Sequence, residues 1–485
     1  MKTNAVSRRK ARGSAASTAE IVLRWVLVCG VSLPLSVAPQ ATRAAAPAAP
    51  QEPLAVIDAC APITENTIWT TGNVYHAADC QVRVTAGVTL TVQPGVVVKL
   101  GSVSPSYSWG QGSAAFIVDG ALDVQGTASQ PVVITSLKDD AHGGDTNGDG
   151  ASSGAPGDWW GLIFRSGSIG RLDHFHVSYG GSGDFNFTVL YSRAQLDVDD
   201  ADVELRHGQV ISGSVHGLCL QSRGDGAIHP TLTEVDVLDN AQHGVVLRTE
   251  DGSESAWGSE TFVTWDGGNI SRNGWSGIDA QTHWSAIYPT LRNLTVSENG
   301  ELGQNNGETR GVNFEPNHHN IHPVLENVTF SDNVGTAMIW FCHGNITARG
   351  LTATGNGADE LELPGCEVGV GHDWPSHQWD LGDAGIPVRV TDDIEIPSEG
   401  RLSLTPGTAL RFDKNPFGSA TILRVPHHGA LHAAGTAERP VVFTGAREIP
   451  GWWGGIQVGP GVASLDLRHC EIAYGGCSPY QSSLG

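Results

Sequence analysis

Three stretches alternate apolar and polar residues in the same way: "AIHPTLTEVDVLDN" (227–240), "AIYPTLRNLTVSEN" (286–299) and "NIHPVLENVTFSDN" (320–333). Each carries a Pro near its start, runs on with period-2 alternation and closes on Asn, a pattern that predicts a half-buried strand ending in a turn. Looser versions occur at "GGNISRN" (267–273) and "GNITARGLTATGN" (344–356). After most of these Asn residues a second short strand begins: "GVVL" from Gly244, "GIDA" from Gly277, "GVNF" from Gly311 and "AMIW" from Ala337. Alternation assigns Val235, Val237, Leu294, Val296, Val328 and Phe330 to the inner side of the first strands. It does the same for Val245, Leu247, Ile278, Ala280, Val312 and Phe314 in the second strands.

The closing Asn residues lie at 240, 273, 299, 333 and 356, with spacings of 33, 26, 34 and 23 residues. Repeats of this length built from short strands mark a solenoid, in which each coil buries its inner face only against its neighbours. The competing fold is an ordinary β-sandwich, which a fixed repeat disfavours. The pattern resembles the right-handed parallel β-helix. That resemblance implies that Asn240, Asn273, Asn299 and Asn333 stack coil upon coil; a left-handed backbone at the same residues, which Asn tolerates, would favour Asn for a local reason. The expected fold is therefore all-β, a single elongated array of coils. Asn-x-Ser/Thr triplets at Asn269, Asn293, Asn327 and Asn345 recur in register with the strands and are read as structural rather than as glycosylation acceptors.

The two ends of the chain carry the same module. "GALDVQGTASQPVVIT" (120–135) and "GALHAAGTAERPVVFT" (429–444) align without a gap and share ten of sixteen residues. Around them "TVQPGVVVKL" (91–100) matches "SLTPGTALRF" (403–412), "GDWWGLIF" (157–164) matches "PGWWGGIQ" (450–457), and "VSYGG" (177–181) matches "IAYGG" (472–476). Gly120 and Gly429 are offset by 309 and Trp159 and Trp452 by 293, so the first copy holds 16 extra residues between matched strands. The excess is the acidic stretch "DDAHGGDTNGDG" (139–150), an insertion without which the module still folds.

In that insertion Asp145, Asn147 and Asp149 precede Gly150. Oxygen ligands at alternate positions followed by Gly form the first half of a Ca2+ loop. Pro156 stands where a helix-flanked loop needs its bidentate Glu, which excludes the helix–loop–helix type. Asp139, Asp140 and Asp158 are the candidates to complete a structural Ca2+ shell; the bland alternative is a hydrated turn. The whole arrangement is similar to a module of exported bacterial β-helix proteins, over about 64–181 and 386–476. The resemblance implies fold and export, and says little about activity.

Composition fits this picture: charged residues make up 16% and Gly reaches 62, which suits short strands and tight turns more than helices. Residues 1–49 have the layout of a secretory signal, a basic head, an apolar middle interrupted by Arg24 and a small-residue tail, which implies a secreted or cell-surface protein without a stable membrane span. Without that leader 21 basic and 50 acidic residues remain, near −29, a charge that repels nucleic acid and attracts divalent cations. Seven cysteines follow Cys29; Cys60 with Cys80, Cys342 with Cys366 and Cys470 with Cys477 are plausible local pairs, leaving Cys219. The organisation read from sequence is 50–181 as the first module with its insertion, 182–357 as central coils, 358–385 as a loop, and 386–485 as the second module, incomplete because it stops nine residues after "YGG". An uncapped solenoid end exposes strand edges and core, so self-association, a partner there, or a truncated gene product is expected.

Two classes of function remain. A rigid, acidic, exported array suits a structural, adhesive or glycan-binding role toward extracellular polysaccharide or a cell-surface component. The alternative is a polysaccharide lyase or glycoside hydrolase with a groove along the coils. Candidate glycan-binding residues follow the second strands: His283, Trp284, Glu315, His318, His319, His343, His372, Asp373 and Trp374, with His377, Trp379 and Asp380 nearby. Indole and imidazole faces suit sugar rings, and paired carboxylates suit acid–base work. The chain lacks the Arg-x-Pro-x-x-Arg of pectate lyases, and "GHD" at 371 and "HHG" at 427 lack the companion acidic motifs of polygalacturonases, which favours binding over catalysis.

Overall fold

The computed structural model describes residues 55–102, 114–181, 194–223, 226–250, 259–282, 285–301, 309–316, 320–368 and 376–476. They belong to one compact unit, Pro53–Gly485, and the secretory signal expected at 1–49 lies outside the described residues. Among the described residues every strand ladder is parallel, in sheets of 22, 14 and 4 strands. Parallel neighbours need a crossover, here one turn of the coil, whereas a sandwich is built from antiparallel strands. The protein is an all-β parallel solenoid, a β-helix, and the strands Thr231–Leu238, Ile287–Ser297 and Thr329–Ser331 lie in one sheet, as the repeat requires.

The inner face follows the alternation. Val237, Ile270, Val296, Phe330 and Ala353 lie over one another on successive coils, the first four almost fully buried. Val245, Ile278, Val312 and Met338 do the same in the 14-stranded sheet. Burying each such side chain stabilises the coil by about 1.5–3 kcal/mol, and no coil gains this alone because its inner row is covered only by the next.

The Asn ladder forms. Asn240 Nδ2 donates to Asn273 Oδ1 at 3.0 Å, Asn273 to Asn299 at 2.9 Å, Asn299 to Asn333 at 2.9 Å and Asn333 to Asn356 at 2.7 Å. Each Oδ1 also accepts the backbone N–H of the preceding Asn at 3.1 Å. The local reason expected for Asn is overturned, because the left-handed residue is the one before it: Asp239, Arg272, Glu298 and Asp332 have φ of 54–55°. The amide is selected for satisfying buried donors and acceptors, not for backbone tolerance. A second left-handed corner lies within the 22-stranded sheet at His174, His207, Glu234, Asn293 and Asn327. Asn293 and Asn327 are exposed corner residues, and Asn327 Nδ2 donates to Asn293 Oδ1.

The duplicated modules pack alike but meet the sheets out of phase. Trp159 and Trp453 are both fully buried, and each indole N–H donates at 2.8 Å to a carbonyl of the returning strand, Ser178 and Ala473. Trp453 is thus the counterpart of Trp159, an offset of 294 rather than 293, and the insertion is 15 residues. Trp452 instead takes the place of Asp158: both backbone N–H groups donate to the tyrosine of "YGG". The first-copy strands Val97–Gly101, Val132–Ser136 and Phe175–Ser178 lie in the 22-stranded sheet, whereas their counterparts Ala409–Phe412, Val441–Gly445 and Cys470–Ala473 lie in the 14-stranded one. First-copy Ala115–Val118 and Leu162–Phe164 belong to the 14-stranded sheet, and second-copy Ile422–Val425 and Gly455–Val458 to the 4-stranded sheet.

The change of phase happens in 358–385, and the loop expected there is corrected. This stretch holds the strands Ala358–Leu363, Cys366–Glu367 and Ser376–Asp383, the second of which starts the 4-stranded sheet. Its mixed pattern hid them, because one strand is two residues long and another carries His377 and Trp379 inward. The disulfide Cys342–Cys366 staples this switch, and Cys60–Cys80 closes the first coils. Cys219 is a buried thiol, and Cys477 lies outside the described residues. In the last described coil Val458 and Ile472 are 44% and 52% exposed, while their first-copy counterparts Phe164 and Val177 are fully covered by further coils. Among the described residues no helix is long and apolar enough to cross a membrane.

Candidate functional site

The outer side of the 14-stranded sheet carries two rows of side chains that alternation turns away from the core. One row is Asp197, Cys219, Val246, Asp279 and Asn313; the other is Asp199, Gln221, Arg248, Gln281 and Glu315. An outward face of a solenoid is ordinarily solvated, yet Asp197 and Asp279 are 2% exposed and Gln221 is 1% exposed. Among the described residues, Gln221 Nε2 and Asn313 Oδ1 are buried without a hydrogen-bond partner. Buried polar atoms are rarely left so, which makes this face the place where a polar ligand or ordered water is required.

Its densest part spans three coils. Asp279 Oδ1 accepts Asn313 Nδ2 at 2.7 Å, and Asp279 Oδ2 accepts Gln281 Nε2 at 2.8 Å. The same Asn313 Nδ2 reaches Glu315 Oε2 at 3.4 Å, so the two carboxylate oxygens are at most 6.1 Å apart, the sum of the two contacts. His243 Nε2 lies 3.8 Å from Asp279 Oδ2, and His243 stacks on His216 at 5.1 Å with the Trp275 ring edge-on at 5.1 Å. Burial lowers the His243 pKa against the pull of Asp279, so the imidazole is a neutral donor or acceptor at pH 7. Arg223 Nε, 3.3 Å from Asp199 Oδ1, adds a cation farther along the face.

Of the residues expected from sequence, the described ones are Glu315, on this face, and His343, half-buried. His283, Trp284, His318, His319, His372, Asp373 and Trp374 lie outside the described residues. Thr282 pairs with Pro316, so the register that sets Ile278 over Val312 holds to the last described residues before His283 and the stretch 317–319. His377 and Trp379 are corrected: they alternate into the core at 2% and 0% exposure and do not line a surface. Asp279, Asn313, Gln281 and His243 were missed. The signal was present in the second strands, where "IDAQ" and "VNFE" put polar residues between inward apolar ones.

The acidic insertion folds back over the outer side of the 22-stranded sheet. It covers Lys99, Thr135 and Ser178, all nearly or fully buried. Gly143, at φ 77°, passes so close to Val74 that a Cβ would come within 2.8 Å of its Cγ2, so only Gly fits. Lys99 Nζ donates to Gly144 O at 2.5 Å beneath the loop. Burial lowers its pKa, while Asp140, Asp139, Asp145 and Asp149 act in the other direction. Asp140, Asp145 and Asp149 each offer an oxygen within 4.8 Å of the others. Asp145 also caps the turn by accepting Gly148 and Gly150 N–H, and Asn147 Nδ2 donates to Asp149.

Asp139 and Asp158 do not join that cluster. Asp139 accepts Thr135 Oγ1 at 2.7 Å and contacts His142 Nδ1 at 2.7 Å. Burial would raise its pKa, but these bonds hold it below the usual carboxylate value. Asp158 accepts Lys138 Nζ at 2.8 Å, Ser136 Oγ at 2.6 Å and Ala155 N–H at 2.8 Å. The residues that fit a hard cation are therefore Asp140, Asp145 and Asp149, with Asn147 next to them, and Lys99 already supplies one opposing charge.

The family described as "Pectate-lyase like beta helix domain" matches this chain over residues 61–170, the first module and its insertion. A search of curated proteins and a search of solved structures each find no match. The chain is thus similar to a pectate-lyase-like β-helix in its first module, and shares the parallel coil architecture throughout the described residues.

Proposed function

We propose that the chain is a secreted or cell-surface β-helix protein that binds an extracellular glycan along the outer face of the 14-stranded sheet. The observation that carries this reading is the buried polar set Asp197, Gln221, Asp279 and Asn313, with Gln221 Nε2 and Asn313 Oδ1 unsatisfied, on a face that points away from the core. Hydroxyl groups supply both donors and acceptors, and the rings of His216, His243 and Trp275 add the flat apolar surface a sugar needs. Two disulfides accord with an oxidising compartment. The acidic insertion takes Ca2+ as a structural ion, through Asp140, Asp145 and Asp149, which would tie a long loop to the coil. Titration with a panel of neutral and uronate oligosaccharides tests the main reading. Saturable binding lost in N313A is expected, and equal binding by wild type and N313A overturns it.

A second reading, a glycoside hydrolase, is favoured by one distance. Asp279 and Glu315 oxygens at most 6.1 Å apart fall on the side of the about 5–5.5 Å separation of retaining enzymes, not the about 6.5–9.5 Å of inverting ones. Glu315 is exposed enough to meet a leaving-group oxygen, and Asp279 is held by two amides. Release of reducing ends from a bound oligosaccharide, abolished in E315Q, would establish it; binding without release leaves the protein a lectin-like module.

A further inference from the structure

The corner within the 22-stranded sheet brings together three side chains that the glycan face and the acidic loop do not use. His174 and His207 occupy the same left-handed corner position on adjacent coils, with φ of 47° and 48°, and their rings stack at 4.5 Å. Both Nδ1 atoms converge on one oxygen, Asp173 Oδ1, at 2.7 Å from His174 and 2.8 Å from His207. The ligand atoms of all three lie within 4.8 Å of one another. His174 Nδ1 is buried and, despite its short distance to the carboxylate, is not aligned to hydrogen-bond with it or with any other described residue. His207 Nδ1 meets Asp173 Oδ1 in hydrogen-bond geometry and His174 Nδ1 does not, which leaves a ring nitrogen beside the carboxylate that a shared cation would satisfy.

We infer that Asp173, His174 and His207 form a binding site for a late first-row divalent metal ion, of which zinc is the representative. Two imidazoles and a carboxylate are a zinc-type donor set, distinct from the all-oxygen cluster of the acidic loop. On the far side of His207 the exposed Glu234 carboxylate lies 3.9 Å from Nε2, within reach of an ion pair. Asp173 also lines a cleft of about 290 Å³ with Arg171 and Arg206, which gives this side of the cluster access from solvent.

The duplication supplies an internal control. His469 is the counterpart of His174: it has φ 47°, and its carbonyl accepts Val441 N–H as that of His174 accepts Val132 N–H. Arg468 stands in the place of Asp173, paired with Asp466 at 2.9 Å, so the second copy has a cation where the first has a ligand. Zn2+ titration of the purified chain against a chromophoric chelator tests the site. H174N and H207N are the chosen variants, because Asn keeps the same corner conformation at Asn293 and Asn327 and so preserves the fold. A loss of at least tenfold in zinc affinity is expected for each and for D173N, with H469N and D145N unchanged. Wild-type affinity in both H174N and H207N, or an equal loss in H469N, overturns the assignment.

Discussion

The two copies of the end module share strands, tryptophan and tyrosine, yet treat one surface in opposite ways. In the first, Lys99 is fully buried beneath the acidic insertion and donates to Gly144 O. In the second the aligned residue is Arg411, which is exposed. Where the first copy pairs Lys138 with Asp158, the second lays Arg447 and Lys414 over the Trp452 ring at 4.8 and 4.9 Å and lets Trp452 Nε1 donate to Asp413. The inner face is specified by the need to stack on neighbouring coils, so it is retained. The outer face answers to local chemistry alone, and an insertion there converts a solvated cation into a buried one.

The largest expected effect comes from removing that cation. Lys99→Met removes the donor to Gly144 O and the charge that faces half-buried Asp140 and exposed Asp145 and Asp149, and should lower stability by about 2 kcal/mol in chelated buffer. Arg411→Met should stay within about 0.5 kcal/mol, as exposed substitutions do. Denaturant midpoints of the two variants check the contrast. Equal losses would mean that the loop does not bury the ammonium.

The comparison sharpens if the first copy is given the second copy's turn. Replacing Leu137–Gly157 by the sequence of Ala446–Gly451 should leave a folded chain, because the second copy folds with that turn. In this graft the Lys99→Met loss should fall below about 1 kcal/mol, since the lysine is then solvated. A rise in melting temperature on adding Ca2+, expected for the parent, should vanish. A graft that keeps the full Ca2+ response would place the ion elsewhere.

The smallest effect is in pH. Asp139 has a folded pKa below its ordinary 3.8, so its contribution is complete above 3.8 and disappears as pH falls through the lower folded value. Its second-copy counterpart, Glu448, is exposed. Asp139→Asn should therefore flatten part of the acid limb of stability below 3.8, and the graft should flatten it equally. An unchanged acid limb in both would show that another group carries it.

Much of the fold could be read in the residues. Val235, Val237, Leu294 and Val296 declared an inner face by alternation, and the recurring Asn declared its own stack. The Asn positions were right while the backbone reason was not, because a side chain that satisfies the next coil and a residue that tolerates a left-handed turn sit next to each other and look alike in sequence. The stretch 358–385 was opaque for a related reason: "CE" at 366–367 is too short to show a period. The candidate site was legible only as Glu315. Asp279, Asn313 and Gln281 were written into "IDAQ" and "VNFE" but are ordinary outward polar positions until burial singles them out.

The sequence by itself determined that the chain winds into coils, which residues face inward and that its ends are duplicates, because period and alternation are local properties of the chain. Only the tertiary structure decided which outward residues become buried, which copy meets which sheet, and which imidazoles converge on Asp173. Those outcomes depend on the stacking of coils some thirty residues apart, and on an insertion folding back over them, neither of which leaves a mark within any one repeat.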